Sequence, residues 1–423
     1  MQGHPESSRS WAILIDKLLR SKLKLKPTTH EPCLYYGTYK NTEVLFLRQV
    51  GDFAVASSND EYNKEIIELI NNELTIEIKD LGRLTRYNGV DVTQGRDYVK
   101  LSNATYFQKV LDEHEWLLSD THISNKPLPL HTGKAYNHTL EHAQPPDTEK
   151  EQRKLQMNMG FNYRQAIGEL IYMMVTCRPD ISFPLIKLSQ YSKNPAKVHY
   201  EAVKHLFKYV KHTISDGIYF WRPRPRNDLP DLPLPTASTL QYENKSMDEI
   251  DNPNTIHGAV DSDWGGDSTH RKSVSGLAIR IAGGTILYKT KFQNCIALSS
   301  TEAEFTAACD AGRSILYVRS ILDEINMPQD SATPLFIDNN GALLMGNAQQ
   351  PTRRTKHMDL KNFALLDWIE RNLLILRRIA SPDNFVDPLT KPMGKEMHLR
   401  HSEYLLGKRM PQYVYRYLKT SPR

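Results

Sequence analysis

Apolar residues near the start of the chain return at three- and four-residue steps. Trp11, Leu14, Leu18 and Leu19 share one face, which predicts a helix. From Thr42 to Ser57 the period shortens toward two. Val44-Leu45-Phe46-Leu47 leads to Gln49-Val50-Gly51-Asp52-Phe53-Ala54-Val55, a pattern that predicts strands. Between Ala196 and His212 the helical period returns, with Ala202, Val203, Leu206, Phe207 and Val210 in one stripe. Lys204, Lys208, Lys211 and His212 gather on the opposite side. That basic side is either a solvated helix face or one that tracks phosphates. Farther along, His257 to Ser262, Gly276 to Ala282 and Gly284 to Lys289 predict successive strands joined by glycine-containing turns. A helix is predicted from Ser299-Ser300-Thr301, with Ala303, Ala307, Ala308, Ala311, Ile315, Val318 and Leu322 as its buried stripe. Pro334 to Asp338 predicts a short buried strand, Asn362 to Leu374 a helix and Leu376 to Ile379 another strand. This mixed order predicts an α/β domain rather than a helical bundle.

Two stretches interrupt the periodic segments. One is polar, from Ser124 to about Asn162, with Pro127, Pro129, Pro145, Pro146 and the charged run from Asp147 to Lys154. In the other, Pro223, Pro225, Pro230, Pro233 and Pro235 fall close together, followed by polar sequence to Asn254. Proline cannot donate a backbone hydrogen bond or continue a helix, so the second stretch reads as an extended linker. The expected organisation is a domain over residues 1–123, a helical region over 124–222, a proline-rich linker over 223–254 and a final domain over 255–423 with a basic tail.

Composition narrows the class. The 423 residues include 54 Lys+Arg and 49 Asp+Glu, so 54 − 49 gives a formal charge of +5. An apolar content of 39% with 24% charged residues supports packed cores rather than a largely disordered chain. No apolar run reaches the ~18–20 residues of a spanning helix, and no membrane partner is expected. Ala12-Ile13-Leu14-Ile15 between charged stretches does not make a signal peptide, so secretion is not expected. Cys33, Cys177, Cys295 and Cys309 are widely spaced, which excludes a disulfide framework or a zinc site of paired cysteines and suits a reducing compartment. The small positive charge permits a polyanionic partner.

Four acids of the final domain, Asp261, Glu304, Asp338 and Asp387, stand where predicted strands end or helices begin. Each also has a structural reading. Glu302 and Glu304 lie three residues after Ser299 and Thr301, as in a capping box. Asp387 precedes Pro388, an N-cap arrangement, and Asp338 is placed to cap the helix after its strand. As a set they suggest more. Hard divalent cations take several oxygen ligands, and a metal-dependent nuclease needs such acids on different elements converging at one sheet edge.

Six segments in this region occur in order: Asp261-Ser262-Asp263-Trp264-Gly265-Gly266-Asp267, Arg271-Lys272-Ser273-Val274-Ser275-Gly276, Leu298-Ser299-Ser300-Thr301-Glu302-Ala303-Glu304-Phe305, Ile337-Asp338-Asn339, Arg354-Thr355-Lys356-His357-Met358-Asp359 and Asp387-Pro388-Leu389-Thr390-Lys391-Pro392. The series resembles the ribonuclease H domain of copia-type long-terminal-repeat retrotransposons. The resemblance implies Asp261, Glu304, Asp338 and Asp387 as metal-binding catalytic acids, with Glu304 preferred over Glu302. It also implies Mg2+ or Mn2+, two ions with substrate bound, and cleavage of the RNA strand of RNA–DNA hybrids. Lys204, Lys208, Lys211, Arg222, Arg224, Arg353, Arg354 and Lys356 are the expected contacts to that hybrid or another duplex. His357 is either a polar helper or a structural histidine.

Upstream, Arg9-Ser10-Trp11, Pro32-Cys33-Leu34-Tyr35, Lys79-Asp80-Leu81-Gly82, Tyr163-Arg164-Gln165-Ala166-Ile167-Gly168 and Arg178-Pro179-Asp180-Ile181 resemble the same elements' reverse transcriptase and connecting region. The fold class that follows is α/β: an α+β palm remnant and helical connection, then a ribonuclease H-like mixed sheet. The family places an aromatic-Val-Asp-Asp hairpin where this chain has Gln49, Val50, Gly51 and Asp52, so one metal-binding aspartate is a glycine. An earlier polymerase aspartate is expected upstream of Arg9. The expected activity is therefore ribonuclease H without polymerisation, by a truncated or decayed Pol fragment in a cytoplasmic virus-like-particle or nuclear setting. The alternatives are an inactive nucleic-acid-binding remnant, or a polymerase complemented by a missing Pol segment or a dimer partner.

Overall fold

A computed structural model describes residues 6–75, 77–114, 128–237, 252–266, 271–347 and 360–420. The chain divides into two compact units, Met1–Gly89 with Leu316–Asp330, and Val90–Ile315 with Ser331–Arg423.

In the first unit, helix α1 (Ser7–Ser21) and helix α2 (Asp60–Glu73) accompany the strands β1 (Lys26–Pro27), β2 (Leu34–Tyr39), β3 (Thr42–Gln49) and β4 (Asp52–Ser57). The strands pair in sequence order as an antiparallel meander. Ile15, Leu18 and Leu19 meet Tyr35, Val44, Phe46, Ile66 and Ile70 in its core. The buried face of α1 therefore runs through Ile15, while Leu14 is 43% exposed. In the stretch Ala12-Ile13-Leu14-Ile15 several apolar residues compete for one face, and the three-four spacing favours the wrong leucine.

The second unit contains β5 (Val90–Gln94) and β6 (Tyr98–Ser102), then the helices α3 (Ala104–Glu113), α4 (Lys134–His142), α5 (Glu149–Met159), α6 (Tyr163–Thr176), α7 (Ser182–Ser189) and α8 (Lys197–His212), and strand β7 (Gly217–Trp221). The predicted stripe of α8 is buried at every position, against Phe107, Tyr163, Ile167 and Leu170 among others. Strand β6 pairs antiparallel with both β5 and β7. The proline-rich stretch after β7 forms no helix or strand among its described residues, turns at Arg226–Leu229, and is packed. Leu232 and Leu234 lie against Tyr98, Tyr219 and Trp221, Leu229 is buried, and the Tyr98 hydroxyl donates to the Pro233 carbonyl at 2.9 Å.

The remaining strands form one five-stranded sheet. They are β8 (His257–Asp263), β9 (Val274–Ile281), β10 (Gly284–Phe292), β11 (Thr333–Ile337) and β12 (Leu374–Arg378). The order is β10-β9-β8-β11-β12, with β8, β9 and β10 antiparallel and β11 parallel to both its neighbours. Helix α9 (Ser300–Glu324) joins β10 to β11 and buries every residue of its predicted stripe. Helices α10 (Asn340–Asn347) and α11 (Leu360–Glu370) lie between β11 and β12, and α12 (Lys395–Leu405) and α13 (Gln412–Thr420) follow. Strands β8 and β9 are buried almost throughout, because sheet neighbours and packed elements cover them. A mixed sheet with helical crossovers is the α/β architecture expected from the sequence.

Candidate metal centre

Three elements deliver three carboxylates to one point. Asp261 lies in β8, the central strand of the sheet. Asp338 follows the last residue of β11, the parallel neighbour of β8. Glu304 sits in the first turns of α9. One oxygen from each of Asp261, Glu304 and Asp338 lies within 4.8 Å of the others, the only such trio of potential ligands among the described residues.

The local hydrogen bonds decide between the structural and chemical readings of these acids. Glu302 caps α9: its backbone N–H donates to Ser299 Oγ at 3.1 Å and its carboxylate accepts from the Leu298 N–H at 2.7 Å. Glu304 is thereby released from capping and points inward. Its Oε1 accepts from the Ser262 N–H at 2.9 Å, while its buried Oε2 has no hydrogen-bond partner. A buried carboxylate oxygen without a donor costs free energy unless a cation satisfies it. Helix α10 is capped by Asn339, whose Oδ1 accepts from the Ala342 N–H at 3.0 Å, so Asp338 is not needed as a cap.

Asp387 reaches the centre on a short helical turn, Asp387–Leu389. That turn seats against Gly276, which pairs with Asp261 across β9 and β8. A Cβ at Gly276 would stand 2.7 Å from Thr390 Cγ2 and 2.9 Å from Leu389 Cβ, so only glycine admits the turn this closely. Two neighbours of Asp387 also enter the site. Thr390 Oγ1 donates to Asp261 Oδ2, and Lys391 Nζ lies 3.6 Å from that oxygen and 3.1 Å from Asp387 Oδ1. Sequence reasoning did not single out Thr390 or Lys391, although the four-residue step from Asp387 to Lys391 across a helical turn was a usable signal.

Crowding perturbs the acids in the expected direction. Burial, then the charges of Asp261 and Asp338, pushes the Glu304 carboxyl far above its ordinary value. Burial and Asp261 raise Asp387 well above its usual range, partly opposed by Lys391. Asp338 is raised by burial and Asp261, and Asp263 likewise. Such mutual destabilisation among carboxylates is what a bound cation relieves. The donor set is all oxygen, which suits Mg2+, Mn2+ or Ca2+ over softer metals.

The other expected residues are distributed differently. Lys204, Lys208 and Lys211 lie half-buried on α8, with Lys204 Nζ 5.8 Å from the centre of the Phe161 ring. Arg222 is half-buried and donates to the Gly95 carbonyl at 3.1 Å, whereas Arg224 is exposed. Arg353, Arg354, Lys356 and His357 lie outside the described residues. Arg178 and Asp180 form a buried bidentate pair at 2.8 and 2.7 Å, joined by the Tyr209 hydroxyl at 2.7 Å, so this motif is structural. In the first unit, Gln49 pairs with Asp52 across the turn Val50-Gly51, and Asp52 is exposed at its tip. Gly51 offers no ligand atom, and Asp52 belongs to no trio of potential metal ligands among the described residues.

No protein-family model matches the chain. It is 26% identical over 396 residues to the retrovirus-related Pol polyprotein from transposon TNT 1-94 of Nicotiana tabacum, covering 92% of this chain and 26% of that protein. It is 26% identical over 233 residues to the retrovirus-related Pol polyprotein from transposon RE2 of Arabidopsis thaliana, covering 55% of this chain and 14% of that protein. An uncharacterized mitochondrial protein of Arabidopsis thaliana is 26% identical over 251 residues, 59% of this chain and 84% of that protein. The chain thus spans about a quarter or less of the length of the two Pol polyproteins. No helix among the described residues is long and apolar enough to cross a membrane. The two transposon relatives are retrovirus-related Pol polyproteins, and 26% identity over 92% of this chain fits a fragment of such a copia-type polyprotein.

Proposed function

We propose that the second unit is a ribonuclease H-type nuclease that cleaves the RNA strand of RNA–DNA hybrids, and that the first unit does not polymerise. The observation that carries this reading is Glu304 Oε2. It is a buried, donor-free carboxylate oxygen at a point shared with Asp261 and Asp338. A magnesium or manganese ion held there supplies Lewis-acid stabilisation of phosphate charge and makes water a better nucleophile. Asp261, Glu304 and Asp338 would hold the ion, Thr390 fixes the orientation of Asp261, and Asp387 would add negative charge beside it. Lys204, Lys208, Lys211, Arg222 and Arg224, with Arg353, Arg354 and Lys356, are the proposed phosphate contacts of the duplex. Polymerisation requires paired metal-binding carboxylates, and Gly51 leaves Asp52 alone at its hairpin.

The test is cleavage of an end-labelled RNA–DNA hybrid by the full chain in magnesium and in EDTA. Magnesium-dependent endonucleolytic products from the RNA strand alone are expected. Hybrid binding with no cleavage in either magnesium or manganese would leave a nucleic-acid-binding remnant instead.

A further inference from the structure

The proposed chemistry leaves one charged side chain at the centre without a role. Asp387 and Lys391 face each other across one short turn, and the backbone holds them there. The N–H groups of Thr390 and Lys391 both donate to the Asp387 carbonyl, at 3.0 and 3.1 Å. Lys391 Nζ then bridges two acids, 3.1 Å from Asp387 Oδ1 and 3.6 Å from Asp261 Oδ2. The same Asp261 oxygen accepts the Thr390 hydroxyl. One edge of Asp261 is therefore engaged by the turn after Asp387. Glu304 and Asp338, by contrast, make no salt bridge among the described residues; the difference lies in the ammonium, since Glu304 Oε2 and Asp387 Oδ1 both lack a hydrogen-bond donor.

We propose that Lys391 is the resident cation of the Asp261–Asp387 half of the centre, so that the chain takes one divalent ion, at Asp261, Glu304 and Asp338, rather than a pair. The inference rests on the metal centre proposed above and concerns how many ions it holds. A second ion bridging Asp261 and Asp387 would need oxygen contacts at about 2.0–2.6 Å. Those contacts fall in the space the ammonium group already commands. Both acids are almost completely buried, with side-chain exposures of 3% and 8%, while the Lys391 side chain is 37% exposed, so solvent screens only part of the repulsion between ammonium and dication. An ammonium is a compact charge with three donors, suited to bridging two carboxylates from a tether that cannot diffuse away.

The experiment counts Mn2+ bound per full chain by electron paramagnetic resonance titration. It is run with and without a duplex of DNA and 2′-O-methyl RNA, a hybrid that resists cleavage. One equivalent is expected for the parent in both conditions. Lys391→Met and Lys391→Gln should each gain a second saturable equivalent, a twofold rise, while Lys391→Arg should stay at one. The two neutral variants differ in polarity, so a folding failure in one leaves the other informative, with circular dichroism as the check. Two equivalents in the parent, or one in both neutral variants, would overturn the role of Lys391 and leave the nuclease reading intact. No bound Mn2+ in the parent, with or without duplex, would overturn the metal centre itself.

Discussion

Asp338 follows a short strand and Asp52 opens one, and each is an acid the family resemblance connects with metal chemistry. Their surroundings differ in the number of elements that converge. At Asp338 a strand, its parallel neighbour and a helix each bring one carboxylate, so the cluster exists only when the tertiary fold exists. At Asp52 everything is local: a hairpin, a two-residue turn and a side chain that points to solvent. The hairpin does not depend on an acid at position 51, because Val44 and Phe46 anchor it in the core beneath. The crowded centre is different. Its carboxylates destabilise one another, and its geometry has no structural benefit that apolar residues would not supply better. Converging buried acids at one site and a lone exposed acid at the other set the proposed chemistry apart from the folding of a hairpin.

The strongest way to break this contrast is Asp338→Asn. Asparagine keeps the shape and one carbonyl oxygen, and Asn339 already caps α10, so the fold should be unaffected. Losing one ionic ligand should remove several kcal/mol of transition-state stabilisation, a rate loss on the order of 10³-fold or more. Single-turnover hybrid cleavage beside an unchanged melting temperature is the expected result. Parent-like cleavage would remove Asp338 from the site. The complementary change, Gly51→Asp, should produce no magnesium-dependent primer extension, because a second acid at an exposed turn lacks the converging elements. Extension by the parent or by this variant would erase the distinction between the two regions.

Gly276→Ala attacks the centre through packing instead of charge. The added methyl would meet Thr390, Leu389 and Val386 at 2.7, 2.9 and 3.1 Å, displacing the turn that carries Asp387 and Lys391. Overpacking of this kind costs about 1–3 kcal/mol. A lowered urea midpoint together with slower cleavage is expected, whereas a stable variant with full activity would mean that the turn contributes nothing to the chemistry.

A smaller effect should appear in the pH dependence of stability. Glu304, Asp338 and Asp387 are all raised, chiefly by burial. Between the ordinary carboxylate value and the raised one, the folded state holds more protons than the unfolded chain. Stability in EDTA should therefore fall as pH rises through that window. A divalent ion binds the deprotonated acids, so its stabilisation should grow with pH, toward about 2.7 kcal/mol at a hundredfold excess over Kd. Melting curves with and without Mn2+ at several pH values test this, and an ion effect that shrinks with rising pH would contradict it.

Much of this arrangement was legible in the residues before the fold. The alanine-rich stripe of α9 and the apolar stripe of α8 are strongly periodic, and each is buried at every predicted position. Asp261, Glu304, Asp338 and Asp387 were read as a set because they punctuate successive elements, and the first three are the ones whose oxygens lie within 4.8 Å of one another. Lys391 escaped notice because its role depends on a turn docking at Gly276, a long-range contact with no local signature. The resemblance already favoured Glu304 over Glu302, but both spacings satisfy a capping box, and only the hydrogen bonds show that Glu302 is the one that caps. Proline density pointed to a stretch without helix or strand after β7. It could not reveal that Leu229, Leu232 and Leu234 would find apolar partners.

The smallest expected effect belongs to the hairpin. Val50 adopts φ of 53° at the turn, a left-handed conformation that a β-branched side chain tolerates poorly. Its side chain is 64% exposed, so little packing holds it there. The carbonyl of Val50 accepts a hydrogen bond from Trp11 Nε1 at 2.9 Å, a contact any residue at this position retains. Val50→Asn should therefore relieve strain without losing an anchor, stabilising the hairpin by about 1 kcal/mol. Slower hydrogen exchange at the amides of β3 and β4 would register the gain, with hybrid cleavage unchanged. Were cleavage to change in step with hairpin stability, the two regions would not be energetically independent, and the first unit would have to be counted as part of the nuclease.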